Sequence, residues 1–309
     1  MELRLLIEPQ FGATYEEQLE IALEAERLGY PALMRSDHFV NTAAGDGLPG
    51  PSDVWVVLGA LGRETSTIRL GSLVTSINFR LPGPLAIAIA NVDEMSGGRL
   101  EVGIGAGWFE REHTALGMPF APIAERFDRL EEQLEILTGL WGTADGDTFS
   151  FAGEHYQLVD CPPLPRPFQN PHPPLICGGG GLRRTPDFAA RFADEFNIGL
   201  VDAATTKAGF DRVRAACERH GRDPGSIVYS AATTVCCGAT TAEAHRRAEK
   251  ARISLDELSE IGIAGTPAEL TELLLTYKAV GAERCYLRLL DHTDLEQIQL
   301  IAAEVMPHL

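Results

Sequence analysis

Positive charge is scarce in this chain. Lys and Arg number 26 against 44 Asp and Glu, a formal net charge of −18 over 309 residues. Such a surface repels phosphate backbones and anionic headgroups, so neither nucleic acid nor a membrane is expected as a partner. No apolar run is long enough to span a bilayer; the best, after Pro84, is interrupted by Asn91, Asp93 and Glu94. The opening Met1–Pro9 reads as a short strand with charges inside it, not as a secretory leader, so a cytoplasmic location is expected. Six cysteines are spread along the chain, Cys161, Cys177, Cys217, Cys236, Cys237 and Cys285, with no CxxC pair. They read as buried thiols in a reducing compartment. Two further absences bear on fold and chemistry. No GxGxxG follows the first strand, which argues against an open doubly wound sheet. No HxH lies on it either, and only Asp37, His38, Asp291 and His292 resemble metal ligands, so no metal site is expected.

What is present is apolar sequence, 45% of residues, cut into eight strand-plus-helix repeats. Strands are expected at Leu3–Glu8, Pro31–Ser36, Ile68–Ile77, Leu100–Ala106, Pro174–Cys177, Glu195–Ile198, Ile227–Cys237 and Arg284–Leu290. Helices are expected at Tyr15–Leu28 (closed by Gly29), Asp53–Glu64, Leu85–Met95, Ile123–Trp141, Arg184–Phe192, Thr205–His220 and Ala242–Lys250. Two more follow, one opened by Thr266-Pro267 and the last at Asp294–Val305. A loop rich in Gly and Pro covers 41–52. Eight alternations ending in a helix predict an α/β fold, a closed (β/α)8 TIM barrel, as one domain over 1–309. Residues 142–171 break the rhythm and read as an insertion with a small hairpin, whose Pro-rich run is a strap or a lid over the site. A second irregular stretch covers 251–265.

The chain is organised around Arg69–Trp108, a buried strand, a helix and a second buried strand. Pro82 and Pro84 suit a first helical turn, and Gly97-Gly98 a helix end. Gly103, Gly105 and Gly107 permit close approach to the second strand's end. Strand C-terminal ends build the active site of such a barrel. Strand two ends in Ser36-Asp37-His38-Phe39, and an imidazole held by Asp37 can serve structure or chemistry. Strand three ends in Thr75-Ser76-Ile77 and strand four in Gly105-Ala106-Gly107-Trp108. Glu110 reads as surface charge, and Arg126 as the partner of a nearby carboxylate. After strand five, Gly178-Gly179-Gly180-Gly181 opens the backbone ahead of a helix N-terminus, a cradle for phosphate, with Arg183 and Arg184 adding positive charge. Asn197 bonds near a ligand or caps the next helix, and His292 reads as a satisfied polar residue.

These residues carry a resemblance. LVTSINFR, DEMSGGRLEVGIGAGW, SDHF, ERFDRLEE, PHPPLICGGGG and ADEFN together resemble the luciferase-like monooxygenase superfamily, and within it the oxidoreductases that use the deazaflavin coenzyme F420. The resemblance spans essentially the whole chain. It implies hydride transfer between an organic substrate and coenzyme F420. FMN with oxygen is the alternative cofactor chemistry, and a non-catalytic cofactor-binding protein the alternative of another class. It implies that His38 lies beside the cofactor ring as the catalytic residue, donating to a carbonyl or N1 as a neutral imidazole. It implies a non-proline cis peptide at Ser76–Ile77, within one residue, backing the ring. Asp37, Thr75, Ser76, Ile77 and Trp108 then contact cofactor, and Gly178, Gly179, Gly180, Gly181 and Arg183 its phosphate. Glu112 matches a family carboxylate near the site. Several deazaflavin dehydrogenases carry a Glu where this chain has Trp108, so that acid is missing and a sugar-phosphate substrate is in doubt. The resemblance also implies a homodimer through the region of Leu85–Met95.

Overall fold

The computed structural model describes residues 1–42, 48 and 50–309. Half of the Gly- and Pro-rich loop expected at 41–52 lies outside the described residues.

Each strand of the barrel alternates, one side chain facing the helices and the next the barrel interior. The elements run β1 (Glu2–Ile7), α1 (Tyr15–Leu28), β2 (Ala32–Arg35), α2 (Val54–Glu64), β3 (Arg69–Ser76), α3 (Pro82–Met95) and β4 (Leu100–Gly105). Next come α4 (Glu110–Leu116), α5 (Ile123–Gly142), β5 (Phe149–Ala152), β6 (Gln157–Cys161), β7 (Leu175–Gly178), α6 (Arg184–Phe192) and β8 (Glu195–Gly199). The chain finishes with α7 (Ala203–His220), β9 (Val228–Cys237), α8 (Thr241–Lys250), α9 (Leu255–Ile261), β10 (Gly262–Gly265), α10 (Pro267–Ala279), β11 (Arg284–Leu289) and α11 (Leu295–Glu304). Parallel pairing runs β11-β1-β2-β3-β4-β7-β8, and β9 closes the ring by pairing with both β8 and β11. The expected (β/α)8 barrel is therefore the observed one. β10 adds to the far end of β9.

Local chemistry explains the boundaries. Thr14 and Glu17 form a capping box at the start of α1, and Gly29 ends it in the left-handed conformation. Thr266 and Glu269 do the same for α10, with Pro267 in its first turn. The stretch 251–265, expected to be irregular, holds α9 and β10. Ser254 and Glu257 make a capping box there that apolar periodicity alone does not reveal. The short α4 was not expected either; at seven residues it is too brief for a periodic pattern.

Inside the barrel the side chains lie in layers. At the N-terminal end Arg4, Glu101, Glu195 and Tyr286 form a buried polar floor: Arg4 donates to Glu101 (2.5 Å) and the Tyr286 hydroxyl to Glu195 (2.8 Å). Arg69 and Arg284 add ion pairs to the same carboxylates. Burial opposes ionisation of Glu101, but Arg4 and Arg69 outweigh it and lower its pKa; for Glu195 burial wins and raises it. Above this floor sit Leu6, Met34, Ile176 and Ala232. The next layer upward belongs to the strand C-terminal ends.

β5 and β6 form the antiparallel hairpin expected within the insertion. It lies on α5, where the Glu132 carboxylate accepts from the backbone N–H groups of Glu154, His155 and Tyr156. The Pro-rich run after it is a strap and not a lid. Gln169 is fastened to Asp93 and to the Leu100 carbonyl, at the barrel end away from the strand C-termini.

Candidate active site

The C-terminal ends of the strands enclose a cavity of about 580 Å³, of a size that holds small organic molecules. Four strands bring most of the expected residues to it. β2 delivers Asp37 and His38, β3 Ser76, β4 Gly105 to Trp108, and β7 Gly178 to Gly181.

His38 is held by a carboxylate, but not by Asp37. Its Nδ1 lies 3.0 and 3.2 Å from the two carboxylate oxygens of Glu112, which also accepts the Phe39 backbone N–H at 3.0 Å. Glu112 is 1% exposed and is presented by α4. A carboxylate accepts only, so Nδ1 carries the hydrogen and chemistry at His38 falls to Nε2. In the neutral ring Nε2 is therefore a proton acceptor, and it donates only once the ring is protonated. The expectation of a neutral donor is corrected accordingly. Trp108 and Phe109 pack edge-on to the imidazole, with centroids 5.7 and 6.1 Å away. Trp108 is 66% exposed, a wall at the mouth of the cavity.

Asp37 serves a different network. It accepts from the Thr75 hydroxyl (2.5 Å) and from Arg80 (2.6 Å), and Arg80 also pairs with Asp53 at the start of α2. Burial opposes the charge of Arg80, but Asp37 and Asp53 outweigh it and raise its pKa. Arg80 was not expected from the sequence, because a single Arg after a strand has no pattern to mark it.

The non-proline cis peptide lies at Leu73–Val74, not at Ser76–Ile77. It coincides with a register shift between Ser72 and Thr75 in the pairing of β3 with β4. The residues that bulge into the cavity are thus Leu73 and Val74. Gly103 makes room for them: a Cβ there would lie 2.3 Å from the Ser72 carbonyl oxygen and 3.2 Å from the Leu73 Cα. Thr75 and Ile77 are turned away from the cavity. Thr75 is engaged with Asp37, and Ile77 packs in the main core.

The glycine run lines the cavity directly ahead of α6. Gly179 has φ +127°, where residues with a Cβ are strained, and a Cβ on Gly180 would meet nothing within 4 Å. No side chain caps α6, so its first N–H groups stay available to an anion. The cradle therefore fits a phosphate. Arg183 lies beyond it, in a surface hollow with Arg219, and Arg184 is engaged by Asp128 and Glu131. Cys177 lines the cavity, but burial pushes its thiol up to about 12, so it stays protonated.

Four smaller expectations have these outcomes. Arg126 donates to the carbonyls of Gly107 and Ala121 and stacks 4.0 Å over Phe120; among the described residues it makes no ion pair with a carboxylate, and Glu110 acts on it only through its charge. Asn197 lines the cavity and donates to Ser230; the cap of α7 is Asp202. Glu110 is exposed, as expected; His292 is buried but not satisfied, since its Nδ1 has no hydrogen-bond partner among the described residues. Sequence reasoning missed Glu8 and Arg288, which pair at 2.6 Å on the cavity wall. Their mark was charge that continues the inward period of two on β1 and β11 beyond Arg4 and Tyr286. Among the described residues no cluster of three or more His, Cys, Asp or Glu could hold a metal.

A parallel barrel with a glycine cradle, a bulged third strand and a carboxylate-held imidazole around one mouth belongs to the enzyme-type barrels. The chain itself belongs to the luciferase-like monooxygenase family, which matches residues 6–292. It is similar to the FMNH(2)-dependent dimethylsulfone monooxygenase of Pseudomonas putida, 25% identical over 85% of this chain and 80% of that one. It is also similar to an F420-dependent glucose-6-phosphate dehydrogenase of Intrasporangium calvum, 26% identical over 97% and 96% of the two chains. Its fold matches that of an F420-dependent secondary alcohol dehydrogenase in complex with an F420-acetone adduct. There the TM-score is 0.86 at 18% identity, over 99% and 98% of the two chains.

Proposed function

We propose that this chain is an oxidoreductase that moves a hydride between an uncharacterised organic substrate and coenzyme F420. The observation that carries this reading is His38, fixed by Glu112 at the cavity wall beside the Leu73–Val74 bulge. The bound deazaflavin supplies the hydride-accepting or hydride-donating ring carbon. The chain does the rest. Gly178 to Gly181 and the uncapped start of α6 hold the phosphate, the bulge backs the ring, and Trp108 walls it from solvent. Nε2 of His38 takes the proton of a substrate hydroxyl as the hydride departs, and returns it in the opposite direction. Glu112 favours the resulting imidazolium. Asp37, in this reading, acts through Thr75 and Arg80 to set the end of β3.

We further propose a cytoplasmic homodimer acting on a small molecule, without nucleic acid or membrane partners. No described helix is long and apolar enough to cross a membrane. Titration of the cofactor-free protein with coenzyme F420 and with FMN tests the cofactor reading. Micromolar or tighter binding of F420, with FMN weaker, is expected. Equal or preferential binding of FMN moves the reading to an FMN-dependent monooxygenase, the chemistry in the name of the Pseudomonas relative.

A further inference from the structure

The cavity has a second polar feature, on the wall opposite the cofactor cradle. In the ring order β1-β2-β3-β4-β7-β8-β9-β11, β1 faces β7 and β11 faces β4. Glu8 follows β1 and Arg288 lies on β11, so both stand across the cavity from the glycines and from Trp108. Arg288 donates to Glu8 at 2.6 Å and to the Thr234 hydroxyl at 3.2 Å. Each side chain of the pair is 13% exposed. Only two of the five guanidinium N–H groups have these partners, and among the described residues the buried Nε has none. Leu6, Leu200 and Ala232 make the neighbouring wall apolar. Bracing the barrel does not require this pair, since the floor at the other end already holds four buried polar groups.

We propose that Glu8 and Arg288 anchor the substrate's polar end, and that they select an uncharged molecule bearing a carbonyl or hydroxyl oxygen. This rests on the proposed function for the assignment of the opposite wall to the cofactor. A neutral oxygen accepts from the guanidinium, and a hydroxyl also donates to the carboxylate, while the ion pair stays closed. An anion would compete for Arg288 and strand Glu8 as an uncompensated half-buried charge; a cation would do the reverse. The pair thus disfavours a sugar phosphate, the substrate in the name of the Intrasporangium relative.

Four probes of one shape separate the possibilities: cyclohexanone, cyclohexanol, cyclohexanecarboxylate and cyclohexylammonium, titrated calorimetrically into the cofactor-loaded protein. The two neutral probes should bind at least about tenfold more tightly than either ion. Glu8→Gln should narrow the gap to the carboxylate by about tenfold. Arg288→Met should weaken the neutral probes while leaving cofactor affinity within about twofold, since uncharged volume replaces a group that does not touch the cofactor. Arg288→Lys, which keeps the charge, should retain the discrimination against the cation and guards against loss of folding. Equal binding of ketone and carboxylate by the wild type overturns the proposal. So does a gap unmoved in Glu8→Gln, or cofactor affinity lost in a folded Arg288→Met. Failure of both F420 and FMN to bind sinks the proposed function instead, and the probe preference is still read on the cofactor-free protein.

Discussion

Glu112 is the residue whose removal most directly tests the site. Glu112→Gln keeps the size and one acceptor oxygen but removes the charge that holds the His38 Nδ1 hydrogen. The carboxylate is buried and shared between His38 and the Phe39 N–H. The amide can serve one of these two donors well and turns its own N–H₂ toward the other. A hydrogen bond to a charged group contributes about 1.5–3 kcal/mol, and a tenfold rate change corresponds to about 1.4 kcal/mol. Turnover should therefore fall by about 10- to 150-fold. His38→Ala removes the proton acceptor itself and should cost about 10²–10⁴. Because Glu112 acts through His38, the double variant should fall no further than His38→Ala alone. The assay is the single-turnover rate of cofactor reduction with whichever secondary alcohol of a screening panel turns over, read beside melting temperature and cofactor affinity. Histidine ¹⁵N spectra of wild type and variant report the tautomer directly. Losses that simply multiply in the double variant would refute the dyad. Unchanged turnover in a folded Glu112→Gln would also refute it, leaving Glu112 as an anchor for the Phe39 backbone.

Gly180→Asp should abolish cofactor binding without unfolding the protein: its Cβ meets nothing within 4 Å and the carboxylate takes the anion's place. Retained affinity by titration would remove the phosphate from this loop; Gly179→Asp is the poorer test, since φ +127° strains any side chain there. The exposed Leu81, Ile87 and Met95 on and before α3, with Val56 on α2, make a face that we expect a second copy to cover. Sedimentation at micromolar concentration should show a dimer, and Ile87→Asp should shift it toward monomer; a wild-type monomer would contradict the expectation. His292 supplies a pH dependence: burial lowers its pKa below 6.5, against the pull of Glu17 and Asp291 and with the push of Lys250. The unfolded chain then binds more protons in the window just below 6.5, so stability falls as pH drops through it and is unaffected by this group above it. His292→Gln should flatten that part of the melting-temperature profile between about pH 8 and about pH 5.5; identical profiles would refute it.

The sequence carried the barrel because strand and helix periods alternate cleanly. Helices such as Tyr15–Leu28 and Arg184–Phe192 end where Thr14, Gly29 and the glycine run make them end. What it could not carry was anything decided by which groups meet across strands. Asp37 and Glu112 are both carboxylates near His38. Only folding brings α4 over the end of β2 and turns Asp37 toward Arg80. The cis peptide moved from its expected place for a related reason. Its position follows from the register of β3 on β4, which Gly103 permits, and composition along β3 does not encode it. Glu8 and Arg288 were visible as letters but had no meaning until the inward faces of β1 and β11 were known.

The polar floor has a kinetic consequence. With Arg4, Glu101, Glu195 and Tyr286 stoppering one end, the cavity at the strand C-terminal ends does not continue through the floor of the barrel. A substrate and a cofactor, on the proposed reading, would both reach it from the strand C-terminal side. On that reading, a substrate held by Glu8 and Arg288 and a cofactor held by the glycines across from them would share one cavity, and so would their products. Sharing one cavity then predicts an ordered sequence of arrivals and departures, read by product-inhibition kinetics.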